Sequence, residues 1–356
     1  MPSLFDPITI GALRLPNRIV MAPLTRSRAT ADTRVPVPMM AEYYSQRATA
    51  GLIIAEATVV DRMGVGYEAT PGIWSEEQVE GWKSVTQAVH DAGGRIVLQL
   101  WHVGRISDPG LLDGQPPVSA SAIAAKGHVS LLRPERPYPV PRALETPEIP
   151  GIIAAYRQGA VNAQAAGFDG VEIHGANGYL LDQFLQDSTN QRTDGYGGSR
   201  ENRARLMLEV TDAVVDVWGA DRVGMHLAPR ADTHDMGDSD RLATFTYVAR
   251  ELGKRRIAFI CAREARLADS IGPRIREAFG GVYIANENFT GETAEQALAD
   301  GVADAVAFGK AFIANPDLVA RFATKAPLNA WDDRTFFGGG AKGYIDYPLH
   351  CTHGDE

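Results

Sequence analysis

Arg95-Ile96-Val97-Leu98-Gln99-Leu100-Trp101 is a short run in which apolar side chains, some of them β-branched, fill most positions. A strand with one face in water alternates apolar and polar residues. A near-continuous apolar run is instead the pattern of a strand buried on both faces, as in a parallel sheet covered by helices. Outward from it, similar runs recur at Arg18–Ala22, Leu52–Ala57, Gly170–His174, Val223–Leu227, Ile257–Cys261, Gly281–Ala285 and Ala305–Phe308. Helical periods separate them at Met39–Ala50, Glu76–Ala92, Ile149–Ala166, Ser199–Trp218, Leu242–Leu252 and Ala294–Ala299, with a shorter helix over Ile271–Phe279. Ser75 with Gln78, and Thr293 with Gln296, have the spacing of capping boxes that open two of these helices. Eight strands alternating with helices predict an α/β fold, a single closed (β/α)8 TIM barrel occupying 1–356. An open doubly wound sheet is the competing architecture, but no Gly-rich dinucleotide fingerprint follows the first strand.

The longest stretch without barrel periodicity, 104–147, contains eight of the 21 prolines. Its position predicts a rigid, mostly irregular loop excursion after the third strand, forming a lid or wall over the catalytic face. The composition, 45% hydrophobic and 22% charged, is that of a globular protein. The formal charge of −9 is spread along the chain and argues against a nucleic-acid surface. No apolar run has the length of a membrane span, and the first residues lack the basic start of a signal peptide. A cytoplasmic protein is therefore expected, acting as a monomer or small homo-oligomer. The two cysteines fit a reducing compartment. Cys261 reads as a buried thiol, and no metal site is expected. His350-Cys351-Thr352-His353 reads as part of a mobile tail, 349–356, rather than as a ligand set.

Unusual polar residues gather where the strands end. Thr25 follows the first strand, Ala57-Thr58 end the second, and Gln99, Trp101 and His102 end the third. His174 and Asn177 follow the fourth, His226 closes the fifth, and Gly309-Lys310 follow the eighth. Active sites of such barrels lie at the carboxyl ends of the strands, and phosphate sites follow strands seven and eight. The strand starts carry nothing comparable.

Several of these stretches resemble the old yellow enzyme family of FMN-dependent ene reductases, nearest to its bacterial N-ethylmaleimide, nitrate-ester and cyclohexenone reductases. The most specific are Asn17–Arg26, Ala50–Thr58, Gln99–Arg105, His174–Leu180 and Asn190–Ser199, in order along nearly the whole chain. The resemblance implies bound FMN, NAD(P)H as reductant, and an activated alkene or a nitro or nitrate-ester compound as substrate. It assigns Tyr179, His174 and Asn177 to catalysis. Imidazole and amide N–H groups can grip one carbonyl or nitro oxygen, provided the chain turns helically after the strand so that both point the same way. Negative charge grows on that oxygen as hydride reaches the β-carbon, so the two donors form an oxyanion hole. Tyr179 can protonate the α-carbon.

By the same resemblance Pro23, Thr25, Ala57, Gln99, His226, Glu287, Asn288, Gly309 and Lys310 hold the flavin, while Tyr67, Trp101 and Phe337 line the substrate pocket. Three departures touch the cofactor side. His226 stands where the family carries an Arg, so a conditional cation replaces a permanent one. Lys310 replaces another Arg and lacks its bidentate fork. Ala285-Asn286-Glu287-Asn288-Phe289-Thr290 replaces a Gly-rich phosphate turn, so the Glu287 carboxylate must point away from a phosphate. Phe337 stands where relatives often have Tyr. These changes lead us to expect incomplete flavin loading. Alternatives are nitrate-ester or nitro-compound reduction at the same site, a flavin-poor binding protein with little turnover, and a sugar-phosphate isomerase or aldolase. The last would need a catalytic Lys or carboxylate at a strand end, and the best Lys, Lys310, sits at the phosphate position.

Overall fold

In the computed structural model, which describes residues 1–230 and 233–350, the strand–helix alternation closes into a ring. Its strands are β1 (Ile19–Met21), β2 (Leu52–Ile54), β3 (Ile96–Trp101), β4 (Gly170–His174), β5 (Val223–Leu227), β6 (Phe259–Arg263), β7 (Val282–Asn286) and β8 (Ala305–Phe308). All pair in parallel, β8 with β1 and β2 with β3, so no edge is left open. The fold is the predicted TIM barrel.

Alternation along the strands builds two cores. Val20, Leu52, Ile54, Val97, Cys261 and Ile284 meet inside the barrel, while Ile19, Ile53, Leu98, Ile173 and Val306 pack outward in the larger core shared with the helices. The inner core includes Ile10, Leu13 and Leu15 from a hairpin that sequence periodicity missed, Ile8–Ile10 with Leu13–Leu15. Its turn is pinned where β5 begins: Ala12 N–H donates to Asp221 O at 2.9 Å. The hairpin thus stops the barrel at the end away from the polar rim.

Boundaries moved in several places. The helix expected at Met39–Ala50 runs Pro38–Ser45, starting with proline in its first turn and giving way to turns before β2. Ser75 and Gln78 do form a capping box. The Thr293–Gln296 box does not open its helix; Thr290 and Thr293 do, three residues earlier, and the helix runs Gly291–Ala299. The second strand ends at Ile54, with Thr58–Val59 pairing separately to β3. The sixth was expected at Ile257–Cys261 but spans Phe259–Arg263, where Arg263 pairs with Asn286 of β7. Short helices at Leu180–Leu185, Lys310–Ala314 and Leu318–Thr324 were not anticipated.

In the 104–147 excursion, Val118–Ser119 pairs with Arg142–Ala143. Ile106, Leu112, Val129 and Tyr138 are buried in a satellite core with Tyr67 and Trp101, and Ser130 and Leu131 reach the cavity at the polar rim. Among the described residues no helix is long and apolar enough to cross a membrane. Of the His350-Cys351-Thr352-His353 stretch and the 349–356 tail, everything from Cys351 onward lies outside the described residues.

Candidate active site

His174 is the last residue of β4, and the chain leaves it through Gly175 and Ala176. It does not turn helically, as the three-residue spacing suggested. Asn177 and Gly178 both adopt left-handed conformations, at φ +57° and +76°, and this reversal aims the Asn177 side chain back over the barrel. Position 178 has no room for a side chain, because a Cβ there would sit 2.7 Å from Met236 Cγ. Buried Asp182 braces the turn by accepting the Gly178 N–H at 2.9 Å. From the following loop, His234 Nδ1–H donates to the Asn177 carbonyl at 2.7 Å.

These contacts fix which atoms face the cavity. His174 Nδ1 accepts the Ala176 N–H at 3.4 Å, so the ring proton sits on Nε2 as a donor. Burial, followed by the neighbouring His226, holds the His174 pKa well below its ordinary value and keeps the ring neutral. Arg263 Nη1 donates to Asn177 Oδ1 at 2.9 Å. A guanidinium has no acceptor, so the amide must turn its oxygen to Arg263 and leave its NH2 free.

Aromatic rings wall this corner. Tyr179 stands edge-on to Trp101, with centroids 4.9 Å apart, and to His174 at 5.0 Å; Tyr67 stacks on Trp101 at 5.6 Å. The Tyr179 and Tyr67 hydroxyls lie 3.0 Å apart. Burial raises both phenol pKa values, so both stay protonated at neutral pH.

The cavity floor rests on Glu172, a fully buried carboxylate in the middle of β4. Gln99 Nε2 donates to its Oε2 at 2.7 Å and His226 Nδ1–H to its Oε1 at 3.2 Å. Cys261 completes a buried trio with Glu172 and His226, whose possible ligand atoms lie within 4.8 Å of one another. Burial, followed by the nearby Glu172, raises the Cys261 pKa well above the ordinary thiol value, so the thiolate that metals prefer is disfavoured.

Opposite the Asn177 turn, the chain leaves β7 through Glu287 and Asn288, both at positive φ, +100° and +59°. The Glu287 carboxylate is drawn to Arg263, with Oε2 3.0 Å from Nε and Oε1 3.2 Å from Nη2. Asn286 ties β7 to β8 by donating to Ala307 O at 2.8 Å. Gly309 and Lys310 follow β8, with Lys310 Nζ 5.7 Å from the ring centre of half-exposed Trp331.

One cavity of about 630 Å³ gathers every residue assigned from sequence to catalysis, flavin or substrate: His174, Asn177 and Tyr179; Pro23, Thr25, Ala57, Gln99, His226, Glu287, Asn288, Gly309 and Lys310; Tyr67, Trp101 and Phe337. Thr58 and His102, also noted at the strand ends, are buried and do not line it. Residues 3–329 match the NADH:flavin oxidoreductase / NADH oxidase family. The chain belongs to that family. It is a flavin-dependent oxidoreductase of the old yellow enzyme group. It is similar to a probable flavin mononucleotide-dependent alkene reductase of Leishmania infantum, 45% identical over 97% of both chains. Morphinone reductase in complex with tetrahydroNAD superimposes with a TM-score of 0.96 at 49% identity, over 100% of each chain. The old yellow enzyme homologue from Zymomonas mobilis does so at 0.95 and 48%, covering 98% of this chain and 100% of its own.

Within this old yellow enzyme scaffold, sequence reasoning missed Glu172, His234 and Arg263. Glu172 was visible as a lone charge in an otherwise apolar strand. Arg263 lay two residues beyond the expected end of its strand, and a correct boundary would have placed it on the rim. His234 left no signal beyond its residue type.

Proposed function

We propose that this enzyme reduces the activated C=C bond of α,β-unsaturated carbonyl or nitro compounds, with FMN as cofactor and NAD(P)H as reductant. The residues present fit FMN. Gln99, its amide oriented by Glu172, keeps one N–H and its carbonyl for a pyrimidine edge. The positive-φ turn at Glu287–Asn288 and the cation Lys310 suit a phosphate. Thr25, Pro23 and Ala57 line the same cavity and would complete the flavin site. When bound, FMN supplies the hydride that NAD(P)H has delivered to it.

The observation that carries the reading is the convergence on one cavity of a neutral His174 with its proton on Nε2, an Asn177 amide with its NH2 free, and a protonated Tyr179. The first two donate to the substrate oxygen, where negative charge builds as the β-carbon is reduced. A neutral imidazole serves here because it cannot lose its donor by protonating that oxygen outright. Tyr179 delivers the proton to the α-carbon, and Tyr67 steadies its hydroxyl from behind. Trp101 and Tyr67 exclude water, and Phe337, nearly half exposed, stands at the mouth. A spectrum of the purified protein tests this: yellow colour that NADPH bleaches anaerobically and cyclohexenone restores supports it. A protein that remains colourless with added FMN, or stays bleached with the alkene, refutes it.

A further inference from the structure

Arg263 lies outside the grip formed by His174, Asn177 and Tyr179, yet it has the firmest hold on one member. Its guanidinium spends both faces. The Nε/Nη2 edge makes a two-point pair with Glu287, at 3.0 and 3.2 Å, and Nη1 donates to Asn177 Oδ1 at 2.9 Å. An Asn side chain can present either end of its amide, and the wrong end would aim lone pairs at an oxygen that is becoming an oxyanion. Hydrogen bonds to ions are about twice as strong as neutral ones, so one charge-assisted bond of this kind biases the amide by roughly tenfold or more. The backbone of Asn177 is held separately by His234 and Asp182 through its neighbour Gly178. Only Arg263 acts on the side-chain orientation among the described residues.

We propose that Arg263 is a positioning residue, clamped by Glu287 at the end of β7, that locks Asn177 in its donor-out orientation for the substrate oxygen. The proposal rests on the reading of His174 and Asn177 as the oxyanion grip. It predicts a thermodynamic coupling between Arg263 and Asn177 that a cation acting only through its charge would not produce. A bare charge favours an anion whether or not the amide is present, whereas an orienting contact is worthless once the amide has gone.

The experiment is a double-mutant cycle on the full-length, FMN-loaded protein, with 4-nitrophenol at a pH where it is the phenolate as a stable mimic of the oxyanion. Its dissociation constant is read from visible absorption for wild type, Arg263→Met, Asn177→Ala and the double variant. Arg263→Met is expected to weaken binding about tenfold in the wild-type background and less than twofold in the Asn177→Ala background. Arg263→Lys, which keeps a cation but not the fork, should fall between, and it serves should the Met variant lose flavin or fold. An unchanged constant in both variants, or an equal loss with and without Asn177, overturns the proposal; so does a wild type that does not bind the phenolate. A wild type that binds it with the expected coupling but fails to reduce cyclohexenone supports this inference and refutes the proposed reaction.

Discussion

His226→Ala isolates the pair beneath the cavity. In the native chain the Glu172 carboxylate is wholly buried and His226 nearly so, at 3% exposure. Removing the imidazole strips Oε1 of its 3.2 Å donor and leaves Gln99 on Oε2 alone. Removing one partner of a buried hydrogen bond, so that the other is left unsatisfied, costs about 1–3 kcal/mol, and more when the acceptor is a carboxylate. The acceptor is a carboxylate, but it keeps Gln99 and water can enter the vacated space from the cavity, so about 3 kcal/mol is expected. A chain of 356 residues has an unfolding entropy of roughly 0.75 kcal/mol/K, so the midpoint should drop by about 4 °C. Calorimetry on wild type, His226→Ala, Glu172→Gln and the double variant, all stripped of flavin, measures this. In the His226→Ala background, Glu172→Gln should restore stability, because leaving a buried amide short of a partner costs less than leaving a buried carboxylate short of one, giving a coupling of at least about 1 kcal/mol. A His226→Ala midpoint within a degree of wild type, or strictly additive shifts, would refute the idea that His226 exists at this position to serve Glu172.

Other expectations follow from the same geometry. Tyr179→Phe should slow reoxidation by cyclohexenone about 100-fold or more while reduction by NADPH changes little, as separate anaerobic stopped-flow measurements would reveal. His226→Arg restores a permanent cation beside Glu172 and should tighten flavin retention on dialysis; an unchanged flavin affinity and redox potential count against this. Burial raises the Asp182 pKa from 3.8 to about 7. The folded protein therefore keeps a proton that the unfolded chain releases near pH 4. This contribution to stability is fully present below pH 4 and is lost as pH rises through about 7. Urea titrations across that range should show a smaller decline for Asp182→Asn than for wild type, and parallel curves would contradict the shift.

Much of this was legible because burial on both faces leaves a coarse signal. All eight strands announced themselves as apolar runs, and the rim residues stood out against them. What escaped did so for physical reasons. Arg263 and Glu172 are charges at positions where periodicity asks for apolar side chains, and a pattern broken at a functional position reads as the end of an element or as noise. The Asn177 turn depends on two successive left-handed residues, and Asn-Gly gives only a preference for that geometry. The Ile8–Leu15 hairpin gains its stability from filling the barrel, a tertiary benefit invisible in a run of three residues per strand.

That hairpin also bears on how turnover is ordered. With Ile10, Leu13 and Leu15 packed into the far end of the barrel, the described residues fill that end, and the cavity lies at the rim. On the reaction proposed above, reductant and alkene would each have to use that cavity, one after the other. In steady-state terms, initial-rate plots against one substrate at fixed levels of the other should run parallel. High concentrations of either should slow the reaction by occupying the enzyme form that awaits its partner.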